Sequence, residues 1–283
     1  MAAIRPRRSV LYMPGSNARA LEKARDIPAD ALILDLEDAV APDAKDIARQ
    51  QVVDAVRAKG FGKREVIVRV NALSTSWGEA DIAAVATVRP DAILIPKVSE
   101  PSDLSRVAER APGLALWAMI ETPLAILNIA ALAVAGRGLA CFVMGTNDLV
   151  KEMRGEHMKD RANLSSALAL SVMAARAHGL AVIDGVFNDI QDSDGFAAQC
   201  RQARAFGFDG KTLIHPSQVG PCNDIFAPSA EEIAAARKII AAFALPENKG
   251  KGAIKLDGRM VEILHADIAR RTVDLADAIE QLA

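Results

Sequence analysis

The sequence has few cysteines, and nothing in their spacing ties them together. Only Cys141, Cys200 and Cys222 occur in 283 residues, and no two of them form a CxxC pair. An odd number of widely separated cysteines argues against a disulfide framework and against a structural zinc site. We therefore expect a reducing compartment and a cytoplasmic protein.

Long apolar runs and long basic runs are also missing. The longest stretch without a charged residue, 122–136, is interrupted by Pro123 and Asn128 and falls short of the ~20 residues that cross a bilayer. The 34 Lys and Arg residues are balanced by 36 Asp and Glu residues and form no long run. Neither a nucleic acid nor an anionic membrane is favoured as a partner. We expect a small-molecule partner instead.

Glycine-rich nucleotide loops are the third absence. Neither GxGxxG nor GxxxxGK[ST] occurs, so the usual sign of an open doubly wound sheet is missing. Instead, one pattern recurs eight times: a short apolar run, a polar or glycine-containing break, and a segment with helical spacing. Eight such units are the number at which a parallel sheet closes into a (β/α)8 TIM barrel. The expected strands are 9–13, 31–36, 65–70, 92–95, 114–120, 139–144, 181–183 and 211–214.

The barrel pattern ends before the chain does. We predict a barrel over residues 1–227 and a C-terminal helical extension over residues 228–283. The extension is expected to plug the barrel, to brace its side, or to pack on a neighbouring subunit. The apolar face of its last helix is expected to consist of Leu264, Ile268, Leu275 and Ile279.

Two carboxylates stand at the ends of consecutive predicted strands. Glu121 follows the fifth apolar run, and Asp148 lies in the Gly-Thr-Asn-Asp segment after the sixth. Because right-handed crossovers bring the carboxyl ends of parallel strands to one face, the two acids can share a ligand. Mg2+ suits them, since it takes one or two protein carboxylates and completes its shell with water and substrate. The alternative is that Glu121 caps a helix and Asp148 closes a turn.

Further polar residues follow the other strands. Since barrel enzymes react at the carboxyl-end face, such convergence favours the metal over capping. Arg69 suits a substrate carboxylate or an enolate oxygen, and it can also be a structural partner for Glu37 or Asp38, since the two roles are not exclusive. Lys97 is a Schiff-base nucleophile or, as we favour, an ion-pair partner of a nearby acid. The face would collect Glu37, Asp38, Arg69, Asn71, Lys97, Glu121, Asp148, Asp184 and His215.

The segment after the first strand has a different character. Gly15, Ser16 and Asn17 would place free backbone N–H groups at a helix start, where anions bind. Arg19 and Lys23 follow one turn apart on one face. The segment is either a phosphate cradle at the rim of the site or an ordinary helix cap with solvated charges.

Seven stretches between Arg7 and Val219 carry a family resemblance. They are RRSVLYMPGSNARALEKA, LILDLEDAVAPDAKDIAR, VIVRVN, AILIPKV, the ET of MIETP, GTNDL and GFDGKTLIHPSQV. They resemble the family of the citrate lyase beta subunit and malyl-CoA lyase. The resemblance implies a (β/α)8 barrel that uses Mg2+, or Mn2+ in its place. Such an enzyme makes or breaks the bond between the α-carbon of an acyl-CoA thioester and a keto acid such as glyoxylate.

The resemblance also implies roles by position. It makes Glu121 and Asp148 the metal ligands and Arg69 the residue that stabilises the enolate or substrate. It further implies a homotrimer, or a hexamer of trimers, in which the C-terminal segment completes a neighbour's site. The expected substrate and coenzyme A contacts are Asn17, Arg19, Lys23, Glu37, Asp38, Arg69 and Lys97.

The catalytic base is where this chain departs from its relatives. Many of them carry an aspartate in a Met-Ile-Asp segment after a GKGA loop, whereas LDGRMVE places Glu262 at that position. One extra methylene displaces a carboxylate enough to change a rate. Asp257, five residues earlier, is a second candidate for the base.

This departure leaves three functions open. The first is carbon-carbon cleavage or formation in a 3-hydroxyacyl-CoA such as malyl-CoA, citramalyl-CoA or a citryl thioester. The second, ranked just below it, is hydrolysis of (3S)-malyl-CoA to malate and coenzyme A. The third is a non-catalytic metal-binding subunit of a larger lyase complex.

Overall fold

A computed structural model describes residues 4–282 of the chain. Eight parallel strands close into a barrel in chain order, each one paired with the next and the last paired with the first. The predicted TIM barrel is confirmed. The barrel strands are β1 (Ser9–Pro14), β2 (Ala31–Asp35), β3 (Glu65–Arg69), β4 (Ala92–Ile95), β5 (Ala115–Ile120), β6 (Leu139–Met144), β7 (Ala181–Asp184) and β8 (Gly210–Leu213).

Helices follow the strands and cover the outside of the barrel. They are α1 (Ala18–Lys23), α2 (Lys45–Ala58), α3 (Gly78–Val88), α4 (Pro101–Arg110), α5 (Pro123–Leu127), α6 (Ile129–Ala135), α7 (Thr146–Glu152), α8 (Ser165–Ala177), α9 (Ser193–Phe206) and α10 (Val219–Phe226). None of the helices in the described part of the chain is both long and apolar enough to span a membrane.

The helix predicted after β5 is broken in two. Asn128 separates α5 from α6, and its side-chain amide donates to the carbonyl oxygen of Ser99 at 2.9 Å. The sequence also gave no sign of α7 or α10, because the segments 146–152 and 219–226 are short and contain turn-forming residues. These differences leave the strand order unchanged.

Side chains of the strands alternate between two apolar cores. In β5, Trp117 and Met119 point into the barrel, whereas Leu116, Ala118 and Ile120 point out toward the helices. Successive side chains of a strand face opposite sides, so the residue after Ile120 points inward again. Strand parity therefore decides which polar residues at the strand ends face the barrel interior.

The C-terminal residues form a second compact unit, from residue 227 onward with residues 4–6. It contains α11 (Ala230–Ala244), a hairpin of β9 (Ala253–Leu256) and β10 (Arg259–Glu262), and α12 (Ile263–Leu282). The hairpin separates the two helices of the extension, which the sequence predicted as helical. Its turn is Asp257-Gly258, both with positive φ, as two-residue hairpin turns require.

The residues that α12 buries within this unit are not the four that were predicted to share its apolar face. Leu264 and Ile268 are exposed, and the buried positions are Ala266, Ala269 and Ala276. α12 packs along α11, and small residues at the contact allow two helix backbones to approach closely. The large side chains are thereby turned away from the contact within this unit.

Candidate active site

Glu121 directly follows β5. The alternation of side chains along the strand directs it into the barrel, and it is 1% exposed. Its Oε1 accepts the backbone N–H of Lys97 at 2.7 Å, and Lys97 takes a left-handed φ of 54°. The other oxygen, Oε2, is buried and has no hydrogen-bond partner in the described residues. A buried polar atom without a partner is rare and costly, so this carboxylate is built to receive a ligand.

Gly145, the residue after β6, makes room for that carboxylate. A Cβ at this position would lie 2.5 Å from Oε2 of Glu121 and would also overlap its Cβ. The backbone N–H of Gly145 donates to the carbonyl of Ile120 at 3.0 Å, so the two strand ends are fixed side by side. Only glycine fits here without displacing Glu121.

Asp148 lies in the first turn of α7 and shares one cation with Glu121. The Lys97 ammonium is 2.8 Å from Oδ2 of Asp148 and 3.6 Å from Oε1 of Glu121. Burial disfavours the charge of Lys97, but the hydrogen bond to Asp148 and the two acids outweigh burial and raise its pKa above the usual value. Lys97 is therefore protonated at neutral pH, which does not suit a Schiff-base nucleophile.

The donor set fits a hard divalent cation that keeps water and substrate in its shell. Glu121 and Asp148 offer two carboxylates, one with an unpartnered oxygen, at a place where the structure already accommodates positive charge. Within residues 4–282 no group of three or more His, Cys, Asp or Glu side chains could hold a metal by itself. An all-protein cage of the zinc or calcium kind does not fit, whereas Mg2+ with one or two carboxylates does.

Arg69 ends β3, points inward and is almost fully buried. Asp35, the last residue of β2, also points into the barrel. Its carboxylate accepts two hydrogen bonds from Arg69, from Nε at 2.7 Å and from Nη2 at 2.6 Å. Nη1 lies 2.8 Å from Glu37 and 3.4 Å from Asp38. The guanidinium also stacks 4.8 Å from the ring centre of Tyr12. Arg69 is held rigidly and presents one edge toward Glu37 and Asp38.

Glu37 is unusual among the acids around Arg69. Burial raises its pKa to about 8, with Asp38 and Glu121 adding to the rise and Arg69 opposing it. Its Oε2 lies close to Arg69 Nη1 but lacks hydrogen-bond alignment. Burial likewise raises the pKa of Glu121, helped by Asp148 and opposed by Lys97 and Arg69. Perturbed carboxylates of this kind mark functional sites.

Three residues expected at this face have structural contacts instead. The prediction that Asp184 joins the face is wrong, because Asp184 has outward parity and binds the buried cations Arg161 and Lys211. Asn71 bonds with Lys45 and Asp81. The His215 ring accepts the backbone N–H of Ser217, which caps a short 3-10 turn.

The segment after β1 is compatible with both predictions, a phosphate cradle and an ordinary helix cap with solvated charges. Asn17 caps α1, because its side-chain oxygen accepts the N–H of Ala20 at 3.0 Å. Arg19 and Lys23 are exposed and have no ion-pair partner in the described residues. A cation pair without acids is available to an anion.

The two candidate bases lie in the C-terminal unit and differ sharply. Asp257 is a hairpin turn residue whose carboxylate accepts from Lys238 at 2.5 Å. Glu262, at the end of β10, is exposed, and its carboxylate has no partner in residues 4–282. Its backbone N–H donates to His265 Nδ1 at 3.0 Å. Of the two, Glu262 has the free carboxylate.

Sequence reasoning missed Tyr12, Asp35 and Gly145. All three have inward parity at the carboxyl ends of their strands, as Glu121 and Arg69 do. Side chains alternate between the two faces of a strand. This alternation along β1, β2 and β6 could have identified these residues as pointing into the barrel.

A closed barrel with the buried Arg69, the buried Glu121 and the partly exposed Asp148 at one face defines a (β/α)8-barrel enzyme with an acidic site suited to a metal. The chain belongs to the HpcH/HpaI aldolase/citrate lyase family, whose model matches residues 8–216.

Relatives with known names match nearly the whole chain. It is 51% identical over 274 residues to a (3S)-malyl-CoA thioesterase of Cereibacter sphaeroides, covering 97% of this chain and 96% of the relative. It is 34% identical to the citrate lyase subunit beta of Escherichia coli, covering 96% and 94%. The predicted enzyme of CoA thioesters is confirmed at this level.

Two solved structures of Mycobacterium tuberculosis proteins are also similar. CitE in complex with magnesium, acetoacetate and coenzyme A aligns with a TM-score of 0.81 at 30% identity, over 98% of this chain and 99% of its own. The citrate lyase beta subunit with oxaloacetate and magnesium aligns with a TM-score of 0.67 at 29% identity, over 80% and 98%.

Proposed function

We propose that the protein hydrolyses (3S)-malyl-CoA to malate and coenzyme A. The observation that carries this proposal is the 51% identity, over almost the full chain, to a thioesterase of that name. The lyase relative is 34% identical. Our sequence-based ranking put carbon-carbon cleavage first, and the relatives favour the reverse order. A non-catalytic subunit is set aside because the site is that of an enzyme family.

Mg2+, or Mn2+ in its place, would be held by Glu121 and Asp148. The unpartnered oxygen of Glu121 and the cation already between the acids support this assignment, and two solved relatives contain magnesium. When bound, the ion supplies a Lewis acid for the carboxylate and hydroxyl oxygens of the malyl group. Lys97 and Glu37 would line this substrate site with Asp38.

Arg69 would stabilise the negative charge of the reaction. The fork to Asp35 fixes the guanidinium, and a cation fixed before the reaction would stabilise the charge that develops on the thioester carbonyl oxygen. Glu37, whose pKa burial raises to about 8, would contact a substrate oxygen beside Arg69. The carbonyl carbon then gains a water oxygen and loses the thiolate of coenzyme A.

Glu262 would be the base that takes the proton from water. We propose that it acts in the site of a neighbouring subunit of a homotrimer or a hexamer, with Asp257 as the less suitable alternative. The exposed Leu264 and Ile268 beside it suit burial in such an interface.

Asn17, Arg19 and Lys23 would contact the coenzyme A moiety at the rim after β1. Arg19 and Lys23 are exposed and unpaired within residues 4–282, which supports this role. The three cysteines are all free thiols, which suits the reducing cytoplasm in which we place the protein.

A lyase activity is the second candidate. In that reaction the base would deprotonate the malyl hydroxyl, and Arg69 would stabilise the acetyl-CoA enolate that leaves from glyoxylate. The 34% identity to a citrate lyase subunit supports it.

Product analysis separates the two functions. Incubation with (3S)-malyl-CoA and Mg2+ should release free thiol and malate in equal amounts, measured with a thiol reagent and by chromatography. The Glu121→Gln variant is the matched control and should release neither. Glyoxylate and acetyl-CoA without free thiol would overturn the hydrolase proposal and establish the lyase.

Replacement of the base tests Glu262. The Glu262→Gln variant should lose about 100-fold or more in kcat, because general base catalysis contributes rate factors of that order. Its Mg2+ affinity should be unchanged by titration calorimetry. Asp257→Asn is the control and should keep most activity.

Co-assembly tests whether Glu262 acts between subunits. Mixing Glu262→Gln with Glu121→Gln subunits should restore part of the activity, since some sites would then combine both intact residues. Full activity of the Glu262→Gln variant would contradict its role as the base.

A further inference from the structure

Tyr12 crosses the interior of the barrel from β1 to β5. These strands are the first and the fifth of the eight, so they lie on opposite sides of the closed barrel. The Tyr12 side chain points inward and packs on the inner apolar core. Its hydroxyl lies 3.5 Å from the sulfur of Met119, an inward residue of β5. The aromatic ring therefore spans the barrel instead of lying along its wall.

The register of the strands places Tyr12 directly below the candidate site. Tyr12 pairs with Ile33 on β2, and Asp35 is the next inward residue toward the carboxyl end of that strand. Asp35 pairs in turn with Arg69 on β3. The Arg69 guanidinium lies 4.8 Å from the centre of the Tyr12 ring. The ring is thus the floor beneath the ion pair of Asp35 and Arg69.

The exposed part of Tyr12 faces the mouth of the barrel. Tyr12 is partly exposed, whereas Val10 and Trp117 lie closer to the amino ends of β1 and β5 and are fully buried. Since the amino-end side is sealed by these residues, the ring is reached only from the carboxyl-end face. A molecule bound beside Arg69 and Glu121 would therefore meet Tyr12.

The hydroxyl of Tyr12 has donor capacity to spare. Within residues 4–282 its hydrogen-bond partner is the thioether of Met119, which is a weak acceptor. Burial raises the pKa of Tyr12 above its usual value, with Arg69 opposing the rise and Asp35 and Glu121 adding to it. The hydroxyl thus keeps its proton at neutral pH. A neutral donor in this place suits an anionic oxygen of a ligand.

The hydroxyl lies on the Glu121 side of the site. Met119 is two residues before Glu121 and points inward as well. A Cβ built on Gly145 would lie 3.0 Å from Cε of Met119 and 2.5 Å from Oε2 of Glu121. The methionine that contacts the hydroxyl and the unpartnered carboxylate oxygen therefore border the same small space.

We propose that the Tyr12 hydroxyl is a further substrate contact, which donates a hydrogen bond to the carboxylate of the malyl group. The inference rests on the proposed function, in which Arg69 meets the thioester oxygen and Glu121 holds the ion that binds this carboxylate. A carboxylate has acceptor sites for several partners, so it can bind an ion and a hydroxyl together. Because a charged acceptor is stronger than a thioether, the O–H group would turn from Met119 to the substrate.

The chain contains one tyrosine, so the contact can be observed directly. Tyrosine isotopically labelled at its ζ carbon gives a single NMR resonance, which the Tyr12→Phe variant lacks. Saturating malate with Mg2+ should shift this resonance, because the hydroxyl exchanges a sulfur acceptor for a carboxylate. Coenzyme A alone should leave the resonance in place. An unshifted resonance in protein saturated with malate would overturn the inference.

Removal of the hydroxyl tests its contribution to binding. Tyr12→Phe keeps the ring under Arg69 and should weaken the binding of malate with Mg2+ about tenfold or more, since a hydrogen bond to a charged group is lost. Titration calorimetry measures this affinity. The affinity for coenzyme A should not change, and kcat/KM for malyl-CoA should fall by a similar factor. Unchanged malate affinity, with thiol and malate still released from malyl-CoA, would remove the contact and leave the hydrolase standing.

Met119→Leu is the matched control. It removes the sulfur acceptor with little change of volume and keeps the hydroxyl, so malate affinity should stay within about threefold of the wild-type value. Equal losses in both variants would show that Tyr12 acts only by supporting the barrel through Met119, and would overturn the inference. Weaker malate binding in Tyr12→Phe alone, with glyoxylate and acetyl-CoA as products from malyl-CoA, would support the contact and overturn the proposed hydrolase instead.

Discussion

Glu121 and Asp184 are two buried carboxylates at the carboxyl ends of barrel strands, yet their surroundings are opposite. Asp184 points outward and accepts from Arg161 at 2.7 and 2.9 Å and from Lys211 at 2.9 Å. Although burial alone would raise its pKa, Lys211 and Arg161 outweigh burial and hold the pKa below the usual value. Glu121 points inward, accepts one backbone N–H, and has a raised pKa because burial dominates.

The difference shows how burial alone says little about the role of an acid. The cluster of Asp184, Arg161 and Lys211 uses its charges on one another, so it stabilises the packing of β7 and β8 against the loop before α8. Within the described residues, the pair Glu121 and Asp148 leaves one oxygen without a hydrogen bond, which costs stability and is consistent with the proposed metal site. The two acids should therefore respond oppositely when their charge is removed.

Asp184→Asn should give the largest effect, and the effect should be on stability. It leaves the buried cations Arg161 and Lys211 without their acid, and breaking such a pair typically costs ~3–5 kcal/mol of unfolding free energy. Urea unfolding measures the change. The folded fraction should keep its activity, because Asp184 faces away from the site. A loss below ~1 kcal/mol would remove the contrast with Glu121.

Glu121→Gln should show the reverse pattern. Activity should fall about 100-fold or more, equivalent to ~2.7 kcal/mol of barrier, because the proposed metal ligand is lost. The unfolding free energy should stay constant or rise by up to ~1 kcal/mol, since a buried charge with an unsatisfied oxygen is replaced by a neutral amide. Parallel activity assays and urea unfolding measure the two quantities. Destabilisation as large as that of Asp184→Asn would contradict the distinction.

The pH dependence of stability sharpens the comparison with a smaller effect. The pKa of Glu37 is raised in the folded state, so its favourable contribution is present below about pH 4.5 and is lost as the pH rises toward 8. The pKa of Asp184 is lowered, so its contribution is lost only as the pH falls below about 3.8. Of these two carboxyl groups, only Glu37 makes the unfolding free energy depend on pH between pH 5 and 8.

Metal-free protein should therefore lose stability across this range faster than the Glu37→Gln variant, by at most ~1.4 kcal/mol per pH unit. Urea unfolding at several pH values measures both slopes. Identical slopes would show that Glu37 is not buried as an acid with a raised pKa.

Much of the barrel was predictable from the sequence, because its signals are local. Apolar runs that end in polar residues gave all eight strands, and the positions of Glu121 and Asp148 followed from them. The break at Asn128 was not predictable, since its hydrogen-bond partner Ser99 is 29 residues away. Similarly, the fork between Arg69 and Asp35 joins residues 34 apart.

The error on Asp184 has a simpler cause. Strand ends were considered without strand parity, so an outward acid was grouped with the inward ones. In the C-terminal unit, helical spacing placed Leu264 and Ile268 on one apolar face, but spacing does not reveal that the buried positions of α12 are alanines. The spacing of apolar residues in a sequence identifies which residues share a face of a helix. Tertiary packing decides which face is buried.

Lys97 gives the acid pair an internal counterion. An ion that enters between Glu121 and Asp148 must compete with an ammonium already 2.8 Å from one of them, so loading is an exchange of one positive charge for another. The chain can thus fold with its two acids neutralised, and a Lys97→Met variant should take up magnesium more tightly while becoming harder to fold without it.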